Sequence, residues 1–223
     1  PIDQSGGTPA ELLTLHQADT SEIWFRKGGR TQYLATTKGR IQPELSVARA
    51  DRPIGRWISW TGPNDRLWAL RTHDTGTQAQ PSEIRLPWPN AVRCGRPATD
   101  ARARLVQPVC IPSPDGQHTR LVAAIVTNSG AMHTRSIARF RPSQLLTNVN
   151  AAGRVDFVLV RPGAVDLASV DTDPDNRRPA SIRKLWRARP GQAAQSAKLV
   201  MNTATPAGPA VALTLEDATE TLI

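Results

Sequence analysis

Apolar residues recur along this chain in short runs of alternating period. Each run leads through a tight Gly or Pro turn into a second run of the same kind. Residues 22–37 follow this pattern around Gly28-Gly29, residues 56–72 around Gly62-Pro63-Asn64-Asp65, and residues 120–138 around Asn128-Ser129-Gly130. Residues 155–170 repeat it around Pro162-Gly163, and residues 198–215 around Pro206-Ala207-Gly208-Pro209. Two runs of two-residue period joined by turn chemistry mark a β-hairpin. The expected fold class is therefore all-β, built of repeated hairpins. Further apolar stretches end near Pro53, Pro87, Pro89, Pro142 and Pro190. Proline cannot donate to a central ladder, so these stretches are strand ends or edges.

The turn glycines Gly28, Gly62, Gly130 and Gly163 stand 34, 68 and 33 residues apart, with a turn-like Gly95-Arg96-Pro97 in the wide gap. A period near 34 suggests a small propeller-like array. A β-sandwich or jelly roll gives the same cadence of strands and turns, so both architectures stand as expectations. One short helix is expected over residues 9–16. Thr8 can cap it, Pro9 suits its first position and Glu11 completes a capping box. A helical turn is also read at 143–146. Residues 1–7 are polar and expected to be loose. Residues 8–223 read as one all-β domain, with a sub-boundary open near 90–104.

Alternation gives a core. Ile58, Trp60, Leu67, Ala69, Val122, Ala124, Val126, Phe157, Leu159, Leu167, Leu213 and Leu215 take the inward positions of apolar strands. A four-residue turn over 62–65 would pair Trp60 with Leu67, Ser59 with Trp68 and Trp57 with Leu70. Ile58, Trp60, Leu67 and Ala69 then share one face. Trp57, Ser59, Arg66, Trp68 and Leu70 share the other. Two diagonal indoles beside an arginine form a platform able to stack a sugar or a base. Packing between neighbouring sheets explains the same residues more simply. Trp88, set between Pro87 and Pro89, joins Trp57, Arg66 and Trp68 as a ligand or interface candidate.

Composition changes this picture in one respect. The 223 residues are 39% hydrophobic and 21% charged, a globular balance, and carry a formal net charge of +9. Lysine occurs only at Lys27, Lys38, Lys184 and Lys198, so the basic charge is mostly arginine. Guanidinium groups make planar, bidentate contacts to carboxylate and phosphate. An anionic partner, nucleic acid or an acidic surface, fits that balance, although a composition bias toward arginine would produce it too. The densest basic stretch holds Arg177, Arg178, Arg183, Lys184, Arg187 and Arg189, with Trp186 among them. On a strand, Lys184 and Trp186 fall on one face and Arg183 and Arg187 on the other, so this is a basic contact surface without a clean stripe.

Other chemistry is sparse. Cys94 and Cys110 are too few for a disulfide scaffold and can pair only in an oxidising compartment. Asp171, Asp173 and Asp175 imitate the start of a calcium loop. Asn176 and Ile182, however, stand where that loop needs Gly and Glu, and Arg177 and Arg178 follow at once. No metal or cofactor is expected. His16, His73, His118 and His133 show no zinc spacing. Asn128-Ser129-Gly130 lacks the frame of a nucleophile elbow, and a triad of Ser129 with His73 and Asp74 rests on no local signal. The start shows no charged-then-apolar leader. No apolar run approaches the about 18 residues that span a bilayer, so a soluble protein without a membrane span is expected.

The expected function is that of a non-catalytic structural or interaction subunit of a larger assembly, of the virion, phage-tail or shell type. Its partners would be other protein subunits, met through an arginine-rich surface. The alternative is a carbohydrate-binding, propeller-like lectin using tryptophan platforms.

Overall fold

The computed structural model describes residues 10–48, 55–72, 80–150, 152–176, 178–201 and 210–223. The chain is all-β, with 58% strand and almost no helix. Among the described residues the strands form five antiparallel sheets, none closed into a barrel. Each sheet is a run of chain-consecutive strands. The first holds β1 (Ala10–Gln17), β2 (Thr20–Lys27) and β3 (Arg30–Lys38). The second holds β4 (Glu44–Leu45), β5 (Trp57–Thr61), β6 (Leu67–Arg71) and β7 (Ser82–Ile84).

In the third sheet β8 (Val92–Arg93) and β9 (Ala98–Thr99) both pair with β10 (Leu105–Pro112), followed by β11 (Thr119–Val126) and β12 (Met132–Ala138). The fourth runs β13 (Gln144–Val149), β14 (Val155–Arg161), β15 (Ala164–Val170) and β16 (Ser181–Arg187). The fifth runs β17 (Ala194–Met201), β18 (Ala210–Leu215) and β19 (Glu220–Leu222).

The sheets stack face to face in chain order. Ile23 and Ala35 of the first sheet pack with Ile58, Trp60 and Leu70 of the second. Trp57, Leu67 and Ala69, on the second sheet's other face, meet Val109, Val122 and Ala124 of the third. Leu121, Ala123 and Ile125 meet Phe157, Leu159 and Ala168 of the fourth. Val158, Val160 and Leu167 meet Val211 and Leu213 of the fifth. A strand covered on both faces needs apolar residues at every position. This explains why β11 and β14 are nearly continuous apolar runs, while β18 alternates buried with half-buried residues. All twelve residues expected in the core are buried.

Strands β4, β9, β13 and β17 of the second to fifth sheets approach one another side by side. Val47, just after β4, forms a parallel bridge with Ala98 of β9. Thr147 of β13 donates to the Arg96 carbonyl at 2.9 Å. The Gln144 side chain bonds both the N–H and the carbonyl of Ala197 in β17, each at 2.8 Å. Buried polar pairs also tie neighbouring sheets, with Ser59 donating to Gln107 at 2.6 Å and Arg104 to Thr172 at 2.6 Å.

Several expectations need correction. The segment read as a helix over 9–16 is strand β1 from Ala10 onward, paired with β2 along its whole length. Its capping residues Thr8 and Pro9 lie outside the described residues. Leu12, Leu13 and Leu15 fit either period, and the partner strand decides: Leu12 packs inward with its opposite residue Phe25, while Leu13 and Leu15 stay exposed. The helical turn at 143–146 is likewise replaced by β13. The turns at Gly28-Gly29, Asn128-Ser129-Gly130 and Pro162-Gly163 stand as expected. Residues 206–209 lie outside the described residues, although β17 and β18 pair as a hairpin. The 34-residue period does not match the spacing of the sheets. The middle turns of the second, third and fourth sheets begin at residues 62, 113 and 162, about 50 apart. Gly130 closes the outer hairpin of the third sheet and is not equivalent to Gly62 or Gly163.

Candidate functional site

The indole platform does not form. Thr61 pairs with Leu67, so the loop holds residues 62–66, one more than expected. It contains a 3-10 turn over Pro63–Asp65, with Asp65 at φ 56°. A one-residue slip reverses the face of one strand relative to the other. Trp60 therefore pairs with Trp68, and Ile58 with Leu70, on the face toward the first sheet. Trp57 lies on the opposite face with Leu67 and Ala69, donating its indole N–H to the Ala103 carbonyl at 2.8 Å. Trp57 and Trp60 are buried, and Trp68 is half-buried. Arg66 is exposed and pairs with Glu83 at 3.1 Å.

The basic stretch falls on β16, the edge strand of the fourth sheet, and on its flanks. Arg178, Arg183, Lys184, Arg187 and Arg189 are exposed there, beside Ile182 at 53% exposure; Arg177 lies outside the described residues. Arg187 is engaged internally. It and Arg161 both reach the buried Asp166, at 2.6 and 3.1 Å.

The acidic loop closes on itself. Asp171 accepts the Asp173 N–H at 2.9 Å and the Asn176 side-chain amide at 2.6 Å, which hold its carboxyl below the usual range. Asp173 pairs with Arg102 at 3.3 Å, and its carbonyl accepts from Arg135. Among the described residues no three His, Cys, Asp or Glu side chains group as metal ligands. Cys94 and Cys110 are free thiols lying on the same core cluster. Their mutual hydrogen bond, together with burial, pushes Cys94 up, and the same bond lowers Cys110. Ser129 bonds Thr127 at 2.9 Å on an exposed hairpin, and His73 and Asp74 lie outside the described residues. No helix among the described residues is long and apolar enough to cross a membrane.

Trp88 reaches a surface cleft. The linker between β7 and β8 carries Trp88-Pro89-Asn90 across one end of the third sheet, opposite the turn joining β10 to β11. Between them opens a cleft of about 710 Å³, lined by these residues, the 111–114 segment, His118, Thr119, Arg120 and Arg139. Trp88 and Ile111 anchor its floor in the core between the second and third sheets. Arg120 is directly opposite Ile111 in the β10–β11 register, and its guanidinium lies 5.3 Å from the Trp88 ring centroid. A cation over an indole face is held by the ring quadrupole.

The turn wall is stiff. The Ser113 N–H donates to the His118 carbonyl at 2.8 Å, Ser113 Oγ accepts the His118 N–H at 3.0 Å, and the Ser113 hydroxyl donates to Asp115. That hydroxyl and the Gln117 N–H lower the Asp115 carboxyl. A second cleft, of about 590 Å³, lies beside Pro87, Met132 and Arg135. Sequence reasoning selects Trp88 but not Arg120, Arg139 or Ile111. Their convergence depends on the register of β10 and on the path of a linker that has no local signal.

Compared with known protein families and with curated proteins, the chain matches none.

Proposed function

We propose that this chain is a propeller-like array of five sheets serving as a non-catalytic interaction subunit of a larger assembly. The observation that carries the array reading is the stacking of the five sheets in chain order, with β4, β9, β13 and β17 of the second to fifth sheets along a common edge. A sandwich would instead pair two sheets over one core. Support for the interaction reading comes from where the polar side chains are engaged. Asp100 with Arg104, Ser59 with Gln107 and Asp166 with Arg161 and Arg187 hold strands and sheets together. The contact surface is the edge strand β16, where Arg183, Lys184 and Arg189 are exposed, with an acidic protein surface as partner. The sugar-binding alternative draws no support from Trp57 and Trp68, which face opposite ways.

The test replaces Arg183, Lys184 and Arg189 together by Gln. Size is read by light scattering, and retention on a polyglutamate matrix is read across a salt series. Loss of retention and of any higher oligomer, with the melting temperature unchanged, supports the proposal. Exposed charge pairs are screened beyond about 8 Å at physiological salt. Undiminished retention in the variant and at high salt would place the contact elsewhere.

A further inference from the structure

We infer that the cleft between Trp88 and the β10–β11 turn binds an acidic peptide segment that carries one apolar anchor side chain. The partner class rests on the interaction reading above; the site rests on its own geometry. Several guanidinium groups in the structure are matched by acids, among them Arg26 with Glu11, Arg66 with Glu83, Arg93 with Glu44, Arg102 with Asp173 and Arg104 with Asp100. Arg120 and Arg139 converge on the cleft without an acid partner among the described residues, and no carboxylate lines it. The other polar groups, from Asn90, Ser113, His118 and Thr119, can both donate and accept, so the two guanidinium groups alone set the charge of the lining. Such a lining suits a ligand rich in acceptors and negatively charged.

The apolar half of the cleft narrows the class further. Ile111, Pro112, Pro114, Pro89 and the Trp88 ring form a stiff wall. Arg120 lies over one face of that ring and closes it to the stacking by which nucleic-acid bases are held. The volume of about 710 Å³ falls in the range of sites that enclose a small ligand or a few residues of peptide. One aliphatic or aromatic side chain against Ile111 and Pro112, with flanking carboxylates on Arg120 and Arg139, fills both halves. Arginine forks bind carboxylates bidentately.

The experiment titrates the full chain with the peptide Glu-Glu-Phe-Glu-Glu, following tryptophan fluorescence and heat. The comparison probes are Gln-Gln-Phe-Gln-Gln, pentaglutamate, a six-nucleotide single strand and an oligogalacturonate. The acidic anchored peptide should bind tightest. Arg120→Ala and Arg139→Ala should each weaken it about tenfold or more, the loss expected of one charge-assisted hydrogen bond. Arg120→Lys should recover part of that loss. Replacing Arg183, Lys184 and Arg189 by Gln should leave this affinity unchanged, so failure of the β16 contact and failure of the cleft are separable. Because Arg139 is exposed, its variant keeps the test valid even if Arg120→Ala lowers stability. Equal binding of the neutral peptide, unchanged affinity in both arginine variants, or tighter binding of the oligonucleotide or the oligogalacturonate would overturn the inference.

Discussion

Gly62 is a glycine because of Trp68, and a double-mutant cycle can show it. Its backbone is extended, at φ −95° and ψ −165°, a conformation open to any residue. The constraint is space. A Cβ there would sit 2.6 Å from Cδ1 and 2.7 Å from Nε1 of Trp68, well inside the about 3.5–4.0 Å at which carbon atoms meet favourably. Overpacking of this kind costs about 1–3 kcal/mol. Against it, alanine restricts the unfolded chain and contributes about 0.4–1 kcal/mol of stability where the native conformation suits it. Gly62→Ala should therefore destabilise the wild type by about 1–2 kcal/mol. With Trp68→Ala already present the steric cost disappears, and the same substitution should stabilise by about 0.4–1 kcal/mol. Urea unfolding of the four proteins, with a common m-value, reads both steps from the midpoints. The expected signature is a change of sign. Equal destabilisation in both backgrounds would mean that the turn itself demands glycine, and the packing argument would fall.

Gly153→Ala should be more severe, above about 2 kcal/mol. The residue sits at φ +73°, and its Cβ would lie 2.1 Å from Ala101 Cβ; a thermal melt within a degree of wild type would contradict this. Trp60, fully buried between the first and second sheets, should cost about 3–5 kcal/mol as Trp60→Ala. Its indole N–H has no partner among the described residues, so Trp60→Phe should cost much less, and a comparable loss in both variants would refute that distinction. The Asp171 carboxyl is depressed by the Asp173 N–H, so its contribution is present above the unfolded value of about 3.9 and lost as pH falls through the lower folded value. The stability gap between wild type and Asp171→Asn should be constant from pH 5 to 7 and shrink below about pH 4; a gap that widens in acid would reverse the assignment.

Turn chemistry made the hairpins legible. Gly28 and Gly29 both have positive φ, as a two-residue hairpin turn requires, and Gly130 likewise. The core was legible for the same reason that its two faces were not. Residues such as Trp57, Ile58, Leu67 and Leu70 are all buried, so apolarity alone does not tell which sheet each one meets. That choice depended on a single loop residue, and with it went the proposed indole pair. The turn at Ala18-Asp19 joins β1 to β2 without glycine, with Ala18 at φ 44°, and left no signal against a helix. The Trp88 cleft was half visible. The tryptophan between two prolines stands out in the chain, but the arginines that meet it come from 32 and 51 residues further on and are placed only by the pairing of β10 with β11 and β11 with β12.

The order of the sheets has a consequence for how the molecule comes apart. A series in which each member touches only its neighbours behaves as a one-dimensional lattice, its stability a sum of unit terms and coupling terms. The second, third and fourth sheets each have two couplings. The first and fifth share no apolar cluster among the described residues, so each has one. Their outward faces carry Leu13 and Leu15 at one end and Val200 and Leu222 at the other, all more than a third exposed. Opening should then start at the ends and move inward, with backbone amides of β1 and β19 exchanging first and those of β10, β11 and β14 last. The same arithmetic makes the middle the point of greatest leverage. Weakening the junction at Phe157 and Ile125 would split the series into two shorter blocks, each with a new free end, whereas equal damage at a terminal sheet would release only that sheet.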